Sequence, residues 1–269
     1  MPSIAFWLAY FCVGAVTGLI AGLLGVGGGI VVVPSLYLIF SLQGLPQAEI
    51  MHLALGTSLA TIVFTSYSSF RAHARRRAVR WDVFKRFTPG ILLGSAFGAW
   101  LAARLSSSIL KGAFVALLFY VAAQMLLNFR PKPSRQLPGS LGLAGTAGGI
   151  GIIANLAGVG GGLLTVPFLS WCNMPIREAV GTASAVGFPI AVIGAVGYLI
   201  NGLSATDLPP LCAGFIYLPA LIGIVSMSML FAKAGAHLAH TLPVGLLRRL
   251  FAVFLLVMAV RMLWSILSR

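Results

Sequence analysis

Long apolar runs occupy most of this chain, and they restrict it to one class of fold. Of its 269 residues, 59% are hydrophobic and only 8% are charged, whereas a soluble domain carries about a quarter charged residues. Many of the runs approach or reach the roughly 17–25 residues that a helix needs to cross a bilayer. None alternates apolar and polar residues as the strands of a membrane barrel do. The sequence therefore predicts an all-α polytopic membrane protein.

The apolar segments fall into two sets of five. The first set covers about 4–24, 28–41, 50–70, 88–104 and 109–129, and the second about 141–157, 160–172, 179–200, 209–232 and 246–264. Segments 28–41 and 160–172 are too short to span alone, so they are half-helices, re-entrant pieces or continuations of the preceding helix. The charged, proline-containing stretch between the sets is typical of a linker. We expect an N-terminal membrane repeat at 1–129, a cytoplasmic linker at 130–140 and a C-terminal repeat at 141–269.

The two sets resemble copies of one another. The stretch Gly22–Pro34, GLLGVGGGIVVVP, is identical at eight of thirteen positions to Asn155–Pro167, NLAGVGGGLLTVP. Further along, Gly56-Thr57 recurs as Gly181-Thr182. Several anchors in the same order indicate an internal duplication.

The distribution of Lys and Arg predicts how the copies are oriented. The loop 71–86 holds seven basic residues, and its counterpart at 201–210 holds none. Basic residues concentrate in cytoplasmic loops, so counting crossings from 71–86 places 42–49, 104–111 and 201–208 outside. Corresponding loops then face opposite sides, which predicts two inverted-topology repeats of about four to five segments each. The net charge of +14 reflects this bias and not a nucleic-acid partner.

Three consecutive glycines should break the first helix of each copy. A break inside a bilayer exposes backbone groups that lipid cannot satisfy, so it must face protein or a polar cavity. The helix that restarts after the break presents free N–H groups and the positive end of its dipole, and both favour an anion. Close packing without a ligand is the alternative, and we prefer it for the glycine stripes 14–18–22 and 90–94–98.

The predicted substrate contacts are the glycines of both breaks, the hydroxyl residues that follow them and one amide side chain. They are Gly27, Gly28, Gly29, Thr57, Ser58, Asn155, Gly160, Gly161, Gly162, Thr182 and Ser184. For the hydroxyls the alternative is a bond to their own helix. His52 is either an interfacial residue or a proton-coupling group. No paired carboxylates, metal-spaced His/Cys set or nucleotide-binding loop appears in the sequence, which predicts no enzyme, no cofactor and no metal.

The glycine segments ending in Pro34 and Pro167, with LALGTSLA at 53–60 and EAVGTASAVG at 178–187, resemble the sulfite exporter TauE/SafE family. The resemblance covers nearly the whole chain, including the ending HLAHTLPVGLLRRLFAVFLLVMAVRMLW at 237–264. It implies a multi-pass transporter in the bacterial inner membrane for small anions such as sulfite or organosulfonates. The first copy departs from the usual family pattern in one respect: the stretch between Pro34 and Gly56 is eight residues longer than that between Pro167 and Gly181.

We therefore expect a secondary transporter that alternates access around the paired glycine breaks, with export favoured by the resemblance alone. Its partners are then a small anion and the lipid bilayer, and homo-oligomer formation stays open. Two alternatives remain at this stage. One is an anion channel in which the same glycines form a constriction; the other is a membrane assembly factor whose glycines only pack helices.

Overall fold

The computed structural model describes residues 3–24, 28–127, 136–205, 208–238 and 244–267, and these form ten helices and one short hairpin. The first copy contains α1 (Ile4–Leu24), α2 (Gly29–Leu42), α3 (Ile50–Arg75), α4 (Trp81–Ala102) and α5 (Ser107–Leu126). The second contains α6 (Ser140–Leu156), α7 (Gly162–Trp171), α8 (Ile176–Gly202), α9 (Leu218–Leu238) and α10 (Val244–Leu267), with strands β1 (Cys212–Ala213) and β2 (Ile216–Tyr217) before α9. Among the described residues α1, α3, α5 and α8 are long and apolar enough to cross a membrane. The all-α membrane fold is confirmed.

Two helix starts differ from the predicted segments. The fourth helix, α4, begins at Trp81 and not near 88, because its first turns bury Val83 and Phe87 while charged neighbours face outward. The ninth, α9, begins at Leu218 and not near 209, because the apolar run is interrupted by the hairpin, where Gly214 has a φ of +53°. Residues 130–135 of the predicted linker lie outside the described residues, and the division into two repeats stays a prediction.

Each copy packs mainly against the other copy. Helix α1 lies along α9 and α4 along α6, while α3 packs on α8 and α5 on α10. Glycines allow the closest approaches: a Cβ on Gly90 or Gly94 would overlap backbone of α6, and one on Gly14 or Gly18 would crowd backbone of α9. These glycine stripes are helix-packing faces. The main helix pairs of the fold therefore each join one helix of the first copy to one of the second.

The chain reverses direction at the first glycine break. Gly28, at the start of α2, lies against Thr17 in the second half of α1. Gln43, just after α2, donates from Nε2 to the hydroxyl of Tyr10 in the first half of α1 at 2.7 Å. Helix α2 therefore runs back along α1. Of the arrangements that the sequence leaves open, the first copy adopts a hairpin and not one continued span.

Candidate functional site

The two glycine breaks lie directly against each other. A Cβ on Gly29 would be only 3.1 Å from both the carbonyl oxygen of Gly158 and the Cα of Val159. Ser58 in the buried part of α3 donates its hydroxyl to the same Gly158 oxygen at 2.8 Å. Gly158 itself has a φ of +60°, a conformation that favours glycine. The start of α2 and the middle of α3 thus hold the second break in place.

Both helices that restart after a break begin in the same way. In α2 the first bond runs from the Val31 N–H to the Gly28 oxygen at 3.0 Å, and in α7 from the Leu164 N–H to the Gly161 oxygen at 3.2 Å. The amides before these donors, such as that of Gly162, precede the first helical bond. The second break, which is fully described, therefore presents unpaired amides at the positive end of α7.

A cavity of about 50 Å³ lies beside the second break, between α3 and α8. Its polar lining consists of four hydroxyl side chains and the glycines of the break: Thr65, Ser66, Ser69, Ser184, Gly160 and Gly162. None of the described residues that line it carries a charge. The groups that could bind a solute there are hydroxyls and helix-end amides.

The hydroxyls that α3 contributes to this small cavity are weakly engaged. Thr65 and Ser66 donate to carbonyls of their own helix at 3.3 Å, and Ser69 donates to the hydroxyl of Ser184 at 3.3 Å. Ser184 makes a shorter bond of 2.9 Å to Val180. Because bonds near 3.3 Å are long for hydroxyl donors, little is lost when these groups turn toward a bound anion.

The threonines of the two Gly-Thr pairs make equivalent contacts in the two copies. The Oγ1 of Thr57 accepts from the Tyr217 N–H at 2.9 Å, and that of Thr182 accepts from the Arg80 N–H at 3.0 Å. Tyr217 immediately precedes α9, and Arg80 immediately precedes α4. Each threonine thus fixes the start of the fourth helix of the other copy.

The glycines of the pairs make these threonine contacts possible. A Cβ on Gly56 would overlap the carbonyl oxygen of Phe215, and one on Gly181 would overlap that of Ala78. Both carbonyls lie two residues before the amide that the neighbouring threonine binds. We call each Gly-Thr pair with its bound segment a clasp: the α3 clasp holds 215–217, and the α8 clasp holds 78–80.

The two clasp threonines should differ in their contribution to stability. Thr57→Val leaves the amide of Tyr217, which is only 5% exposed, without a partner, at a cost of about 1–3 kcal/mol. Thr182→Val should cost less, because Arg80 is exposed and water can replace the hydroxyl. Thermal unfolding in detergent measures both. Thr57→Ser should restore most of the loss, and equal shifts for both valine variants would contradict this assignment.

The structure separates the predicted substrate contacts into two groups. Gly160, Gly162 and Ser184 line the small cavity, and Gly28, Gly29 and Gly161 lie at the starts of the two restarted helices. Thr57, Ser58 and Thr182 bind backbone groups of other segments. Asn155 is fully buried and donates to the Gly151 oxygen at 3.0 Å, while its Oδ1 has no hydrogen-bond partner. Gly27 lies outside the described residues. Substrate contact by any of them stays a prediction.

A second, larger cavity of about 730 Å³ opens where three loops meet, and we call it the vestibule. It is lined by residues 47–49 and 103–108, by Asn201, Ser204 and Ala205, and by His52 and Phe215. These residues come mainly from the loops that the sequence predicts on the outside. Its described charged or titratable groups are Glu49, His52 and Arg104.

The described residues offer binding groups and little reactive chemistry. No group of three His, Cys, Asp or Glu side chains among them could hold a metal ion. Burial raises the pKa of the Cys212 thiol to about 12, so this thiol stays protonated and unreactive near neutral pH. The geometry suits reversible binding of a solute.

Comparison with known proteins identifies the family. The family model described as "Sulfite exporter TauE/SafE" matches residues 10–262. The chain belongs to the sulfite exporter TauE/SafE family. A "Probable membrane transporter protein" of Haemophilus influenzae is 34% identical over 259 residues, which cover 96% of this chain and 98% of that protein. The resemblance found in the sequence is confirmed, and the protein is a membrane transporter.

Two relatives of lower identity carry a transporter name and a family name, respectively. A probable membrane transporter protein of Methanocaldococcus jannaschii is 30% identical over 226 residues, covering 82% of this chain and 79% of that protein. "Sulfite exporter TauE/SafE family protein 5" of Arabidopsis thaliana is 29% identical over 105 residues, covering 39% of this chain and 23% of that protein. No solved structure matches the chain.

In this TauE/SafE protein three cavity residues have no counterpart in the second copy, so the repeated pattern does not predict them. Thr65, Ser66 and Ser69 line the small cavity beside Ser184, but the second copy has no hydroxyls at the matching positions. A different signal could have found them, because hydroxyls at 65 and 69 are one helical turn apart on one face of an apolar helix.

Proposed function

We propose that this protein is a secondary carrier of a small sulfur-containing or organic anion, which it exports across the bacterial inner membrane. The observation that carries the proposal is the direct contact between the two glycine breaks, beside a small cavity lined by hydroxyls and helix-end amides. Helix N-termini bind anions without a cationic side chain. Transport also requires release, and neutral donors provide binding that is weak enough to be reversed.

The directions of α3 and α8 support alternating access. His52 at the start of α3 and Asn201 at the end of α8 line the same vestibule, whereas Ser69 near the end of α3 contacts Ser184 near the start of α8. The two equivalent helices therefore run antiparallel, as inverted repeats require. The α3 clasp then lies toward the vestibule and the α8 clasp toward the opposite end. Opening one clasp while the other stays closed would expose the breaks to one side at a time.

The ion pairs at the opposite end fit the same scheme. Arg80 of the α8 clasp lies 2.8 Å from Asp82 and 3.3 Å from Glu178, and hydrogen bonds to both carboxylates raise the pKa of its guanidinium. These groups are largely exposed, so each pair contributes little to stability and can break when this end opens. Export needs no coupling ion, because an inside-negative potential drives anion efflux by about 2.3 kcal/mol per charge per 100 mV.

Counterflow in proteoliposomes tests the carrier. Vesicles loaded with unlabelled sulfite should take up labelled sulfite faster than empty vesicles, because a carrier returns faster when it is loaded. Organosulfonates, thiosulfate, sulfate and small carboxylates then compete to define the substrate. When K⁺ and valinomycin hold the membrane potential at zero, a channel shows no such acceleration, and an assembly factor shows neither flux nor stabilisation by any of these anions. Either result would overturn the proposal.

A further inference from the structure

We infer that Glu49 and His52 form a proton-binding site in the vestibule, and that a proton bound there strengthens the binding of the anion at this mouth. The inference rests on the carrier function proposed above. It concerns a cavity separate from the glycine breaks and a histidine with an unpartnered nitrogen.

The hydrogen bonds of His52 define which of its nitrogens can take up a proton. His52 is only 5% exposed, and its Nε2 lies 3.1 Å from the carbonyl oxygen of Ala102. A carbonyl only accepts, so Nε2 carries a hydrogen and, in the neutral ring, Nδ1 carries a lone pair. Nδ1 is buried without a hydrogen-bond partner, yet it lies 3.4 Å from Oε2 of Glu49.

This arrangement places a ring lone pair opposite a carboxylate. Two acceptors at this distance repel each other while the ring is neutral. A proton on Nδ1 replaces the repulsion with an attraction between opposite charges, and the pair holds that proton jointly. Glu49 is partly exposed and both side chains line the vestibule, so solvent can deliver the proton.

The other groups around His52 determine the effect of the proton on the vestibule. Arg104, whose guanidinium lies 4.3 Å from the ring centre of Trp100, is the remaining charged group among the described lining residues. Helix α8 contributes the neutral Asn201, and Phe215 stacks on His52 at 4.9 Å. Asp207 lies outside the described residues. Among the described lining residues, the charges of Glu49 and Arg104 cancel when His52 is neutral, and a bound proton makes this part of the lining more positive, which attracts an anion.

The proton site adjoins the α3 clasp. Phe215 stacks its ring on His52, and its carbonyl oxygen lies against Gly56, one helical turn further along α3. The corresponding position in the second copy is Arg177, a side chain that stays charged at all physiological pH values. Only the vestibule end of the carrier therefore has a group at this position that can respond to pH.

The test is the KM for sulfite in the exchange assay, measured for wild type and His52→Gln between about pH 5 and pH 8. Glutamine keeps a donor for the Ala102 oxygen but cannot take up the proton. Sulfite ionisation is the same for both proteins, so it cancels in the ratio of their KM values. We expect a ratio near one at the alkaline end, rising to about fivefold at the acid end, where the wild type gains its positive charge.

Two further variants complete the design. Glu49→Gln removes the negative charge and should lower KM about fivefold at the alkaline end, which tests the site even if His52→Gln does not fold. His73→Gln, in the last turn of α3 and remote from the vestibule, should keep the wild-type profile. Unchanged pH profiles in both His52→Gln and Glu49→Gln would overturn the proton site while leaving the carrier intact. No exchange by the wild type at any pH would instead overturn the carrier, and with it the inference.

Discussion

Anion exchange is expected to stop when Gly187 is replaced by leucine. Gly187 lines the small cavity, and the nearest atom to a Cβ there is the Gly161 amide nitrogen at 3.9 Å. A Cβ at this position therefore enters the space in front of the α7 amides without striking backbone, and the rest of a leucine side chain would fill the small cavity. We expect at least a tenfold fall in counterflow with little change in thermal stability, because leucine fills a cavity in a helix that tolerates it.

The matched control for this substitution is Gly149→Leu. Gly149 is exposed on α6, and nothing lies within 4 Å of a Cβ at that position. This variant adds the same side chain to the membrane-facing surface, so its exchange rate should stay near that of the wild type. Normal counterflow in a stably folded Gly187→Leu protein would exclude the small cavity as the anion site.

The second large effect is expected on stability, from Gly158→Val. Gly158 has a φ of +60°, and a β-branched residue is strained there by about 1–3 kcal/mol. The new Cβ would also lie 3.0 Å from Cα of Leu55 and 3.1 Å from Cγ2 of Val33. Backbone cannot yield easily in the buried junction of the two breaks, so the substitution should push them apart. We expect low membrane yield and a lower midpoint of thermal unfolding.

Two related variants show whether backbone conformation or crowding causes the loss. Gly158→Ala is also strained at this φ, but it is not β-branched and its side chain is smaller, so it should fall between Gly158→Val and the wild type. Gly145→Val on the open face of α6, where nothing lies within 4 Å, controls for a valine in a membrane helix. A Gly158→Val protein as stable as Gly145→Val would show that the junction is not the rigid feature described above.

Periodicity and length were enough to predict most helices, because each apolar run of sufficient length has little alternative to a helix in a bilayer. They were insufficient before α9, where β1 and β2 are as apolar as a helix and only Gly214 marks the turn. They also predict an α4 that begins too late, because the first turns of this helix are amphipathic and therefore charged on one side. Average hydropathy does not distinguish these cases.

The Gly-Thr pairs show the limit of motif matching. Recurrence of the pair indicated that both copies use it, but it could not show that the partner of each threonine is a backbone amide more than a hundred residues away. Tertiary contacts of this kind have no local signature. Conversely, the second copy has no hydroxyl residues at the positions that match Thr65, Ser66 and Ser69, so the repeat does not mark these three as site residues.

The reciprocal pairing of α1 with α9 and of α4 with α6 has a consequence for biosynthesis. When the first five helices have left the ribosome, the glycine faces of α1 and α4 have no partners until α6 and α9 follow. The first five helices should therefore remain loosely assembled in the membrane. Until α6 and α9 are inserted, the short helix α2 should depend on insertion factors or on lipid contacts. Expressing residues 1–129 and 141–269 as separate chains in one cell should yield a working transporter only when both are made together.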